Sequence, residues 1–312
     1  FFDVFLEEGR KRRKPFVAHA VYGSIGTVDP GDGERQQAWL HRIAKDHEAF
    51  RFEWLTDHLG ASVLGEHSLA LPIALPMNEA MAGVVRDRLL QWQQLVPDVG
   101  FENSAFYFLL GEWRDEPAFF RQILTAPRTH LLLDLHNVHT IASNLGEDAA
   151  GYLQRLDLTR VIEIHLSGGV DSPPDWLPNK RSLRLDSHDD DVPEAVWQLF
   201  EQVLPRCVNL RGVTLERMEG TVDPVAFWRE QLPEQPLDED GLRIAALLVA
   251  KLRFQRLTNA SPLANDWFAA DPQGFTEAFR SYHHEVVSSS LDPWREADAF
   301  ASWAREHRGT EN

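Results

Sequence analysis

The chain has 312 residues, 43% of them hydrophobic, and a formal net charge of −17 from 48 acidic against 31 basic side chains. That balance excludes nucleic acid and anionic membrane as general partners, since both need a basic surface. The single cysteine, Cys207, excludes an internal disulfide framework and fits a reducing, cytoplasmic setting, and no run approaches the roughly 18 apolar residues of a membrane helix.

In chain order, the opening segment Phe1–Leu6 is too short and too acidic for a signal peptide. It reads as a strand already under way, so that the natural protein would begin earlier. From residue 16 onward short apolar runs alternate with amphipathic patterns. The runs cover 16–22, 52–55, 99–101, 131–135, 161–166, 183–185 and 213–215. The helical patterns cover 36–50, 79–95, 117–125, 146–156 and 193–205, the last opened by Pro193, which suits a first helical turn. Such alternation implies βαβ units and a parallel sheet. The expected fold is therefore α/β, a (β/α)8 TIM-type barrel over residues 1–235, with an open doubly wound sheet as the alternative. After Gln235 the strand rhythm stops. An apolar helical pattern at 239–257 and further ones up to Arg308 predict a small all-helical C-terminal region over 236–312, joined through the Pro-rich, acidic stretch 232–240.

Nearly every apolar run ends in a side chain able to bind a metal ion. These are His19, Asp57-His58, Glu102-Asn103, Asp134-Leu135-His136-Asn137, Glu163-Ile164-His165, Asp186-Ser187-His188 and Glu216. A parallel barrel turns the C-terminal ends of its strands to one mouth, so ligands distant in sequence converge there. One His on an apolar strand is ordinary, whereas a series in register is not. His41, His47, His130, His283, His284 and His307 fall on helical or loop patterns and are assigned to the surface, with His67 and His139 left unassigned. Imidazole and carboxylate without thiolate disfavour copper(I) and Cys-based structural zinc, and leave iron, manganese or catalytic zinc. The number of carboxylates favours more than one ion, because a carboxylate can bridge two cations. Gly23-Ser24-Ile25-Gly26 is too sparse for a dinucleotide fingerprint.

The pieces Trp54-Leu55-Thr56-Asp57-His58-Leu59, Glu102-Asn103, Leu131-Leu132-Leu133-Asp134 with Asn137, and 161–168 occur in a particular order. Leu185-Asp186-Ser187-His188, Val192-Pro193, Val196-Trp197 and Leu215-Glu216 continue it. Over residues 1–235 this set resembles the multinuclear non-haem iron-dependent oxidative enzymes, the family of the methanobactin and thiaglutamate biosynthesis oxidases. The resemblance implies O2-dependent oxidation of a ribosomally synthesised precursor peptide, at Cys or near the peptide's C-terminus. It implies two or three iron ions in a mixed-valent Fe(II)/Fe(III) state, with O2 as co-substrate. Carried over by position, His19, His58 and Glu102 hold one ion. Glu102 as a bridge, with Asp134, His165 and Glu216, holds the second, and Asn137, Asp186 and His188 the third. Asp57 and Glu163 orient the imidazoles, while Asn103, His136 and His139 face the ions' surroundings or the substrate.

This sequence departs from the family pattern at His136, where Asn is usual, and at His139, where an aromatic residue is usual. Gly169 stands in place of a common His, and Arg217-Met218 replaces the usual residues after Glu216. The departures fall around the third ion and the substrate-facing wall. The partners implied are a precursor peptide and a small protein presenting its leader, a part that the C-terminal helical region could itself take. The basic run Arg10–Lys14 could meet an acidic leader, although such runs are commonly solvated loops. Two other readings stay open: a zinc or manganese hydrolase or isomerase of the xylose-isomerase and apurinic-endonuclease type, and a non-catalytic peptide- or metal-binding barrel. Asn137 argues against the endonuclease type, which commonly has His there.

Overall fold

The structure, a computed structural model, describes residues 6–7, 9–11, 14–21, 23–65, 67–217, 253–254, 257–286 and 293–308. The chain divides into two compact units, one of residues 1–167, 171–186 and 192–215, the other of 168–170, 187–191 and 216–312.

Six strands make one sheet: β1 (Ala18–Ala20), β2 (Leu55–His58), β5 (Val99–Glu102), β6 (Thr129–Asp134), β7 (Val161–Ser167) and β8 (Gly212–Glu216), hydrogen-bonded in that order. The pairings from β1 through β7 are parallel. Helices α1 (Asp32–Phe50), α2 (Glu79–Trp92), α3 (Glu116–Ile123), α4 (Leu135–Leu145), α5 (Ala149–Arg155) and α6 (Glu194–Val203) supply the crossovers. A hairpin of β3 (Ala61–Leu64) and β4 (His67–Ile73) is inserted after β2.

Side-chain alternation decides which face of each strand meets the helices. Val99 and Phe101 of β5, Leu131 and Leu133 of β6, and Ile164 and Leu166 of β7 enter a single core with Val85, Leu89 and Trp92 of α2 and Ile141 of α4. The intervening residues, including Thr56, His58, Glu102, Leu132, Asp134, Glu163 and His165, therefore take the opposite, inner face. A register shift pairs Leu131 with Val161 but Leu132 with Glu163, leaving Ile162 as an extra residue. That bulge keeps Glu163 and His165 inward. Gly100 is required on the inner face, because a Cβ there would lie 2.3 Å from the His130 carbonyl oxygen.

The sheet curls into a TIM-type barrel wall. Four strand spacings separate β1 from β7, about 19 Å in a flat sheet, yet the rings of His19 and His165 are 5.2 Å apart. Likewise Trp54, just before β2, reaches β7, its Nε1 donating to Glu163 Oε2 at 2.7 Å.

Several expectations need correction. Leu6, Glu7 and residues 9–11 are helical, so the Phe1–Leu6 segment is not a strand where it is described. The 183–185 run is not a barrel strand either and makes one isolated antiparallel bridge, Asp171 with Arg184. Its backbone is satisfied elsewhere: Leu183 N donates to Ser172 Oγ, and Arg184 N to Asn144 Oδ1. The helix expected at 146–156 is α5, which starts three residues later at Ala149, and the helix before it, α4, closed by Gly146 at φ 72°, is not among the expected elements. Among the described residues the sheet has six strands. His130 sits on β6, with its side chain only 16% exposed, rather than on the surface.

In the second unit, α7 (Pro262–Ala270), α8 (Pro272–Glu285) and α9 (Pro293–Arg308) form the helical C-terminal region. They share a core of Leu257, Ala264, Phe275, Phe279, Tyr282 and Phe300. A buried ion pair joins Arg253 to Glu296 at 2.8 Å, and the Tyr282 hydroxyl donates to the same carboxylate at 2.8 Å. The expected junction at 232–240, the boundary near 235 and most of the 239–257 helix lie outside the described residues.

Candidate metal centre

Each ligand candidate of the barrel stands at or near a strand's C-terminal end, and the register makes neighbours of them. His58 pairs with Glu102 across β2 and β5, and Asp134 with His165 across β6 and β7. The curl described above brings His19 of β1 to the same place. Nε2 of His19 lies 3.0 Å from Glu102 Oε2, and Nε2 of His58 lies 3.2 Å from it. Donors at neighbouring octahedral positions around an ion with bonds near 2.1 Å stand about 3 Å apart, so this spacing fits a shared cation.

The other ring nitrogens are already occupied. His19 Nδ1 is 3.0 Å from Thr56 Oγ1, and His58 Nδ1 is 3.2 Å from the Ala20 carbonyl oxygen. Such contacts fix the ring orientation and leave Nε2 as the ligating atom. Glu102 is buried, which disfavours its ionised form, but the imidazoles of His58, His19 and His165 bring its pKa down to about 2. It is an anion held ready for positive charge.

The other Glu102 oxygen faces a second group. Ligand atoms of Glu102, Asp134 and His165 lie within 4.8 Å of one another. His165 Nδ1 is 3.8 Å from Glu102 Oε1, while its Nε2 is 3.3 Å from Glu163 Oε1. Glu163 is itself clamped, receiving Trp54 Nε1 and, at 2.6 Å, Thr214 Oγ1. Against the effect of burial, the hydrogen bonds from His165 and Thr214 lower its pKa. Asp134 also caps α4, its Oδ1 accepting the Asn137 N–H at 2.6 Å. Asn103 grips the backbone of Asp134 from both sides, at 2.9 Å each. Glu216 ends β8, the strand beside β7.

The remaining expected residues are dispersed over several contacts. Asn137 Nδ2 donates to Glu102 Oε1 at 3.2 Å and to the Asn103 carbonyl at 3.0 Å. Asp186 lies 3.3 Å from Nδ1 of the fully buried His136, and its N–H donates to the Tyr107 hydroxyl. His139 stands beside His136, ring centroids 6.2 Å apart. In the second unit, His188 lies 3.8 Å from Glu216 and takes a left-handed φ of 56°. Asp57 is fully buried, receives the N–H of His58, and has its pKa raised to about 6 by burial. His67 lies on β4, and its side chain is outside the described residues. Cys207 is buried and free, and burial pushes its thiol up to about 11.

Sequence reasoning missed Thr56, Trp54 and Thr214 as supports of this site. Two of them had a signal: Thr56 stands two residues before His58, and Thr214 two before Glu216, as Glu163 does before His165. On a strand that spacing puts both residues on one face.

Among the described residues no helix is long and apolar enough to cross a membrane. Residues 5–231 match the model of the RiPP precursor modification enzyme family MbnB/TglH/ChrH, whose members act on ribosomally synthesised and post-translationally modified peptides. A UPF0276 protein of Bordetella pertussis is 33% identical over 225 residues, covering 69% of this chain and 72% of its own length. One from Caulobacter vibrioides is 30% identical over 200 residues, covering 63% of this chain and 66% of its own. The chain thus spans about two thirds of the curated relatives it matches. Among solved structures, a xylose isomerase domain protein from Planctomyces limnophilus aligns with a TM-score of 0.46 at 14% identity, over 78% of this chain and 82% of that one. With its family's match running through the whole of the strand-and-helix series, this chain belongs to the RiPP precursor modification enzyme family.

Proposed function

We propose that this chain is a multinuclear non-haem iron oxidase that uses O2 to modify a ribosomally made precursor peptide, at Cys or near the peptide's C-terminus. The observation that carries the reading is the approach of His19 Nε2 and His58 Nε2 to one Glu102 oxygen at 3.0 and 3.2 Å, with both Nδ1 atoms already engaged. A surface or core histidine has no need of that arrangement. Family membership supports a peptide as the substrate.

In this reading His19, His58 and Glu102 hold one iron. Glu102, Asp134, His165 and Glu216 hold a second, and Asn137, Asp186 and His188 complete a third position. The donor set is imidazole and carboxylate apart from the Asn137 amide and has no thiolate, which suits iron. Bound iron supplies the one-electron chemistry with O2 that no side chain can perform. The chain's own residues do the rest. Glu102 presents one oxygen to each group and so is placed to bridge. Trp54 and Thr214 fix Glu163, which fixes His165. Asn103 and the cap on α4 fix Asp134. Tyr107, in contact with Asp186, forms part of the wall that the peptide meets, and the buried His136 backs Asp186. We divide the chain into a metal-binding barrel, 1–235, and a helical region, 236–312, that acts as or beside a peptide-presenting partner.

The test is metal analysis and Mössbauer spectroscopy of the purified chain, with mass spectrometry of Cys-containing precursor peptides incubated in air. Mixed-valent iron and an O2-dependent mass change are expected. A zinc-filled site that consumes no O2 would sink the assignment.

A further inference from the structure

At the opposite end of the same strands the barrel holds a cavity of about 530 Å3. Its wall includes residues that open strands or precede them: Asp98 before β5, Arg128 and His130 around the start of β6, Arg160 and Ile162 at β7, and Arg211 before β8. A second carboxylate there, Asp157, accepts from Thr159 N and Oγ1. The mouth residues of those strands lie three to six positions further on, about 10–20 Å away along the strand. The cavity is therefore separate from the candidate metal centre.

We propose that this cavity binds a small oxyanionic ligand, one bearing a phosphate or carboxylate group, through the guanidinium groups of Arg128, Arg160 and Arg211. Each arginine is fixed by some of its nitrogens and keeps others unspent. Arg128 donates Nη2 and Nε to Asp98 at 2.7 and 3.2 Å. Arg211 donates Nη2 to Glu53 at 2.6 Å and packs over the Trp54 ring at 5.0 Å. Arg160 donates Nη1 only to the Ala126 carbonyl, at 3.1 Å, and no carboxylate of the described residues forms an ion pair with it. Among those residues Arg128 Nη1, Arg160 Nε and Nη2, and Arg211 Nε engage no partner. A network serving stability alone would turn such donors onto its own carboxylates. Here the carboxylate at the hub, Asp98, is already shared among Arg128, His130 at 2.8 Å and Arg211, whose Nη1 stands 3.6 Å away.

Two further observations agree. Arg128 holds a left-handed φ of 62°, a conformation costly for a residue with a side chain, at the point where its guanidinium enters the cavity wall. The pKa of His130 is lowered, by burial first and then, against the pull of Asp98, by the positive charge of Arg160 and Arg211. The volume lies within the range of small-molecule sites and exceeds what a bare ion fills. Paired guanidinium forks match the oxygens of phosphate and carboxylate.

Calorimetric titration of the full chain with inorganic phosphate, and separately with succinate, at an ionic strength fixed with chloride, tests this. At least one should bind, and the tighter of the two identifies the group. Arg160→Gln should weaken that binding by about tenfold or more, the cost of a lost charge-assisted hydrogen-bond pair. Arg160→Lys, which keeps the charge without the fork, should weaken it less. Arg181→Gln, outside the cavity, should leave it unchanged. If Arg160→Gln proves unfolded by circular dichroism, the lysine variant decides alone. The proposal fails if neither anion binds or if the Arg160 variants bind as the parent does. It also fails if His58→Ala, at the other end of the strands, is the variant that abolishes binding.

Discussion

The two ends of the barrel strands use one building rule with opposite charge. At the C-terminal end a buried carboxylate, Glu102, has imidazoles on one oxygen and a second ligand group facing the other. At the N-terminal end a buried carboxylate, Asp98, is ringed by Arg128 and His130. The difference lies in what is left over. Around Glu102 the surplus is lone pairs, on imidazole and carboxylate, which ask for cations. Around Asp98 the surplus is guanidinium N–H groups, which ask for an anion. Strand β6 spans both within five residues, from His130 to Asp134. Parallel strands make this division possible, because all like ends gather at one face.

The largest expected effect breaks the first half of that comparison. His58→Ala removes one of two imidazoles on Glu102 Oε2, and we expect iron content measured by mass spectrometry to fall to background. Arg160→Gln, at the far end, should keep its full metal content. Iron retained in the His58 variant would mean that the mouth residues are a hydrogen-bond cluster and not a ligand set. Next in size is Glu163→Gln. An amide cannot accept from Trp54, Thr214 and His165 together, so His165 loses its fixed orientation. Metal affinity should fall about 10- to 100-fold while the fold persists. An unchanged affinity would show that His165 does not ligate through Nδ1.

Glu116 sharpens the comparison from outside both ends. Like Glu102 it is fully buried, but its hydrogen-bond partner is the Tyr152 hydroxyl, and burial raises its pKa to about 7. The imidazoles around Glu102 account for the contrast with its value of about 2. A carboxyl raised above its unfolded value of 4.5 binds more protons in the folded state. Its contribution is complete below about pH 4.5 and is lost as pH rises through 7, on the order of 3 kcal/mol. Glu116→Gln should therefore remove this pH dependence, seen as a flatter profile of urea-unfolding free energy between pH 5 and 7.5. A profile of unchanged slope would place the titrating group elsewhere.

Much of this was legible in the sequence because a parallel barrel reduces a three-dimensional site to a one-dimensional rule. Metal-competent residues at the ends of apolar runs must meet, and His19, His58, Glu102, Asp134 and His165 follow that rule. What failed was whatever the backbone could satisfy in another way. The 183–185 run has a strand's apolar pattern, but Ser172 and Asn144 take its backbone donors. Helix α4 escapes the sequence reading because its first turn, Leu135-His136-Asn137, looks like the end of a strand, where Asp134 in fact caps the helix. The arginine cavity had no sequence signal at all. Arg128, Arg160 and Arg211 are isolated in the chain, and only the register of β5 to β8 brings them together.

The smallest effect tests whether the mouth depends on local order in general or on its own contacts. Asn78 and Asp134 both cap helices: Asn78 Oδ1 accepts the Met81 N–H at 3.0 Å, as Asp134 Oδ1 accepts that of Asn137. Only Asp134 also faces Glu102 and His165. Asn78→Ala should lower unfolding free energy by about 1 kcal/mol, since one N–H at the start of α2 loses its partner. Asn78→Asp, which restores an acceptor, should recover it, and neither variant should change metal content. Asp134→Asn should leave the metal-free protein nearly as stable, because Asn caps as well as Asp, and yet lose metal. If Asn78→Ala reduced metal content as far as Glu163→Gln does, loosening of the barrel would explain both, and the separation between its two ends would have to be drawn from charge alone.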